Sequence, residues 1–80
     1  MMSLSSPVVV DTDGFLIMRA EVRDEIKLGI GHLTKAHDMC TVLREHQNDP
    51  LVVGEIVQIE NNLAKEIQNL TLSLTRVEGL

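Results

Sequence analysis

Between Val53 and Val77 the chain places apolar residues at intervals of three and four, and this repeat constrains the fold more than any other feature. Val53, Glu60, Ile67 and Leu74 share one heptad position; Ile56, Leu63, Leu70 and Val77 share another. Such spacing keeps both sets on one face of a helix, as in a seam packed against another helix. Asp49 suits the N-cap, and Pro50 at the first helical position loses only an amide that would lack a partner. Glu55 lies near the positive end, Arg76 lies near the negative end, and Gly79 can close the helix. The pattern predicts helix two over about 50–77.

The preceding segment predicts helix one over about 14–45. Its apolar stripe is Phe15, Met18, Val22, Ile26, Leu33, Ala36, Cys40 and Leu43, with Ile30 and Met39 at the margins. Leu16, Ile17 and Leu28 fall off it, so this helix is apolar on more than one side. Gly29 and Gly31 each cost about 1 kcal/mol relative to Ala in a helix interior, which implies a bend or a close backbone approach. Residues 46–49 form a short turn, so the helices run antiparallel as a hairpin over 14–80. Upstream, Met1–Ser6 is small and polar, and mobility is expected there. Pro7-Val8-Val9-Val10 is β-branched and expected to be extended, and Asp11–Gly14 reads as a turn in which Thr12 or Asp13 caps helix one. Residues 1–13 are therefore assigned to an extended N-terminal arm. The fold class is all-α, and its surplus apolar surface predicts a helical-bundle homo-oligomer, most simply two hairpins in a four-helix bundle.

Eighty residues are close to the size at which one core becomes marginal without disulfides, metal or partners. The 44% apolar content excludes a disordered chain, and Phe15 as sole aromatic argues against a stacking surface for bases. A net charge of −5 argues against general nucleic-acid binding. The lone Cys40 points to a reducing setting. No apolar run reaches a membrane span, and the first residues lack the basic-then-apolar layout of a signal peptide, so a cytoplasmic location is expected.

Few constellations suggest chemistry. His37 and Cys40 sit three apart beside Asp38, but no second ligand pair accompanies them, so no metal and no cofactor is expected. Arg19, Arg23 and Lys27 recur every four residues and form a basic ridge that can grip a phosphate-bearing small ligand. Glu21, Asp24 and Glu25 are interleaved with it, which also suits a solvated, salt-bridged face. Glu60 is the one charged residue in the seam, where a polar group fixes register and partner number at some cost in stability. No nucleophile, base and orienting group converge by spacing, and Gly29-Ile30-Gly31 lies within a helix rather than after a strand, so no enzyme is expected.

Three resemblances accompany this pattern. His32-Leu33-Thr34-Lys35-Ala36 resembles the His-x-x-Lys segment of histidine-phosphotransfer bundles over those five residues, with Ala36 where glycine usually stands. Glu25-Ile26-Lys27, the Asp49-Pro50 pair and the ending Thr75–Leu80 look like those of hairpin-type cyclic-nucleotide sponges made by phages. That resemblance implies an oligomer holding a cyclic nucleotide between protomers, with Arg19, Arg23 or Lys27 on phosphate. Asn48-Asp49-Pro50 before a C-terminal helix resembles needle and inner-rod subunits of type III secretion, although the aromatic residues usual there are missing.

The sequence thus leads to a small non-enzymatic interaction or assembly module, acting as a homo-oligomer through Phe15, Val22, Ile26, Leu33, Val53, Ile56, Glu60, Leu63, Ile67, Leu70 and Leu74. Its partners are itself and other proteins. The alternatives are sequestration of an anionic nucleotide at a protomer interface and a secretion needle, rod or chaperone subunit.

Overall fold

A computed structural model describes residues 5–80, with side chains from Asp13 onward. The chain forms two helices, α1 (Ser5–Glu45) and α2 (Pro50–Glu78), which pack side by side as an antiparallel hairpin. The molecule is a rod measuring 70 × 17 × 15 Å. Among the described residues there is no strand, and no helix is long and apolar enough to cross a membrane.

The entry to α2 follows from its sequence. Asp49 is extended (φ −77°, ψ 117°), and its Oδ1 accepts a hydrogen bond from the Leu51 amide at 3.0 Å. Pro50 follows at a position where no intrahelical donor is needed. Asp49→Ala should therefore cost about 1 kcal/mol in urea denaturation, and Pro50→Ala less. At the other end the Gly79 amide donates to the Thr75 carbonyl at 3.0 Å with φ −80°, so this cap does not use a left-handed glycine.

The start of α1 corrects the expected arm. Pro7–Val10 and Asp11–Gly14, expected as an extended arm and a capping turn, lie inside a helix that begins at Ser5. Pro7 is tolerated there because the first four amides of a helix have no intrahelical partner. β-branched residues forfeit only a few tenths of a kcal/mol each, and extension of an existing helix gains a hydrogen bond per residue. The expectation for Met1–Leu4 and the side-chain role given to Thr12 lie outside the described residues.

Every predicted seam residue of α2 faces α1. Ile56 and Glu60 are buried, and Val53, Leu63, Ile67, Leu70, Leu74 and Val77 are half-buried, while their neighbours are exposed. On α1 the facing residues are Arg19, Arg23, Ile26, Ile30, Leu33, His37, Cys40 and Arg44, again spaced by three and four. Phe15 and Val22, expected in the interface, are exposed at 49% and 43% within the hairpin, as are Met18, Met39 and Leu43. Of the predicted stripe, Ile26, Leu33 and Cys40 face α2, whereas Val22 and Leu43 turn away from it.

Gly29 lies against Leu70, and Arg19 and Arg23 line one groove with Val77 and Glu78. α2 therefore ends opposite Arg19, and residues 5–18 of α1 project past it by about 21 Å. The glycines do not mark tight packing inside the hairpin. A Cβ on Gly29 would lie 3.6 Å from Leu70 Cδ1, an ordinary contact, and Gly31 and Gly54 have nothing within 4 Å. Gly54→Ala and Gly31→Ala should each stabilise the hairpin by about 1 kcal/mol in thermal or urea unfolding.

Candidate functional site

The interior of a two-helix rod is one seam, and its most polar point is Glu60. The residue is 7% exposed, so its carboxylate needs partners. α1 supplies them from two successive turns. Arg44 Nε donates to Glu60 Oε1 at 2.6 Å, and Thr41 Oγ1 lies 2.7 Å from Oε2. Thr41 Oγ1 is also 3.2 Å from the His37 carbonyl, and its single hydrogen serves the nearer carboxylate. The Arg44 hydrogen bond, followed by that of Thr41, holds the Glu60 carboxyl below the usual carboxylate range, against an opposing effect of burial. Glu60 in turn raises Arg44. Among the described residues no buried side-chain nitrogen or oxygen lacks a partner.

This cluster joins Glu60 of α2 to two successive turns of α1, so it ties the two helices in one register. Glu60 was legible as the polar seam residue. Arg44 and Thr41 were not identified from the sequence, although continuing the 3–4 spacing from Leu33 through His37 and Cys40 reaches Arg44. Chemically the cluster is an ion pair with a hydroxyl donor, and its hydrogen bonds are spent on one another. It offers neither an activated nucleophile nor an open coordination position.

The basic ridge is divided. Arg19 and Arg23 turn toward α2 and, with Ala20, Val77 and Glu78, line a groove of about 240 Å³ at the open end of the hairpin. Lys27 is exposed on another face and does not join them. Glu78 brings a carboxylate to the groove, and Arg23 Nε already donates to Asp24 Oδ1 at 3.1 Å. His37 and Cys40 are half-buried in the seam, and His32 and His46 are exposed. Among the described residues no group of three or more His, Cys, Asp or Glu is placed to hold a metal ion.

The remaining feature is apolar surface. Among the described residues fifteen large hydrophobic side chains are exposed, nine of them on α1 between Phe15 and Leu43. A groove of about 450 Å³ lies among them, lined by Met18, Val22, Ile26, Gly29 and Leu70, with Glu21 and Glu25 at its rim. No family model, curated protein or solved structure matches the chain.

Proposed function

We propose that the chain is a non-enzymatic assembly module that works as a helical homo-oligomer and presents its outer face to other proteins. The observation that carries this is exposed surface, with fifteen large hydrophobic side chains exposed among the described residues. The hairpin exposes 6199 Å², whereas a compact 8.9 kDa monomer exposes about 4,800 Å². Ile56, 5% exposed, is the one buried hydrophobic residue among those described. A single seam with one buried hydrophobic residue is thin support for a helical pair, and association is the direct way to enlarge it. Sedimentation velocity across a dilution series should give a mass well above 8.9 kDa at micromolar concentration. A mass of 8.9 kDa throughout would overturn the proposal.

A second reading, sequestration of an anionic nucleotide, draws on Arg19 and Arg23 at one groove. Glu78 in the same groove and the absence of Lys27 from it weigh against a phosphate site within one hairpin. A thermal-shift series with cyclic and linear nucleotides separates the two. A ligand at 100 times its dissociation constant adds about 2.7 kcal/mol. The assembly reading expects no shift.

A further inference from the structure

We infer that two copies associate through α1, antiparallel about a two-fold axis at Gly29. This rests on the homo-oligomer proposed above and specifies its face. The apolar stripe of α1, exposed at Phe15, Met18, Val22, Met39 and Leu43 and half-buried at Gly29 and Ala36, is palindromic about Gly29. Phe15 and Leu43 lie fourteen residues to either side, and Val22 and Ala36 lie seven to either side. Met18 and Met39 match to within one residue, as do Glu25 and His32. In an antiparallel pair centred on Gly29, each residue therefore meets its counterpart: aromatic on leucine, methionine on methionine, carboxylate on imidazole.

The flanking row matches more loosely. Glu21 lies eight residues before Gly29 and Lys35 six after it, so the two pass within two residues of each other. Leu28 falls near its own copy at the axis. A two-fold contact requires a surface complementary to itself. Glu25 comes within one residue of the second copy's His32, and Glu21 within two of its Lys35. Asp38 lies outside the stripe, on the far side of Lys35.

Gly29 gives a third argument. Nothing in the hairpin requires it, because a Cβ there would make only an ordinary contact with Leu70. At the axis it would let two helix backbones approach closely. The surface also suffices. The whole rod, polar and apolar surface together, exposes roughly 1,400 Å² more than a compact monomer, against about 800 Å² per partner in a stable complex. The arrangement places the projecting Phe15 turn of one copy on Leu43, near the turn of the other.

Cysteine cross-linking tests this on the full chain carrying Cys40→Ala. Mild oxidation of Gly29→Cys should give at least roughly tenfold more covalent dimer than Gly54→Cys, because a disulfide needs Cα atoms within about 7 Å. Equal yields would overturn the α1 interface. Val22→Glu is the second probe: it adds a charge to the stripe at a site already 43% exposed. It should keep the helical circular dichroism and lower the sedimentation mass toward 8.9 kDa. A wild-type oligomer whose mass is unchanged by Val22→Glu and which is not captured at position 29 would remove this face but leave assembly standing. A monomeric wild type would remove both.

Discussion

Ile56→Ala is expected to unfold the hairpin, or to lower its stability more than any other single truncation to alanine. Ile56 is 5% exposed and occupies the seam one turn before Glu60. Truncation of a buried isoleucine costs about 2–5 kcal/mol through lost transfer energy and the cavity left behind. A small domain has only about 5 kcal/mol in total. Leu63→Ala and Leu70→Ala should follow at the lower part of that range, since both are half-buried. Leu72, 55% exposed and off the seam, is the control: Leu72→Ala should change stability by less than about 0.5 kcal/mol. Urea melts at one fixed protein concentration measure all four, because the midpoint of an oligomer depends on concentration. If Ile56→Ala and Leu72→Ala were equally mild, the seam would not be what holds the helices together.

The two helices were unequally legible in the sequence, for a physical reason. α2 carries a single apolar stripe, so its periodicity and its packing face coincide from Val53 to Val77. α1 carries two overlapping stripes separated by about one heptad position. Counting apolar residues selects the richer stripe, with Phe15, Met18, Val22 and Leu43. The hairpin uses the poorer one, whose ends are Arg19, Arg23, His37 and Arg44. That choice leaves Phe15, Met18, Val22 and Leu43 exposed and gives Glu60 the cation that a buried carboxylate needs. Periodicity within one helix does not encode a charge on its neighbour, so Arg44 and Thr41 were missed although Glu60 was found. The N-terminal boundary failed differently. Pro7 and the valines suit an extended strand locally and the Asp11–Gly14 cluster suits a turn, but none is costly enough to stop a helix that extends from downstream.

The Glu60 cluster should respond asymmetrically to substitution, and this gives the second large effect. Arg44→Met removes the cation but leaves the carboxylate buried, which is the costly way to break a buried pair. It should lower the melting temperature more than Asp49→Ala does. Glu60→Leu removes the buried charge instead. Arg44, 37% exposed at its side chain, can then turn to water, and Thr41 can return its hydrogen to the His37 carbonyl. Glu60→Leu should therefore leave stability unchanged or raise it while loosening the register. Adding it to Arg44→Met should recover most of the loss. The pH response carries the opposite sign in the two backgrounds. In the wild type the folded Glu60 carboxyl titrates below its unfolded value, so its contribution is complete above the ordinary carboxylate range and is lost as pH falls through the folded value. In Arg44→Met burial is no longer opposed by a guanidinium, so the folded value should rise, and acid should relieve part of the defect. Melts from neutral to acidic pH should bring the two curves together. Curves that stay parallel would show that Arg44 stabilises the hairpin by packing its side-chain stem rather than by pairing with Glu60.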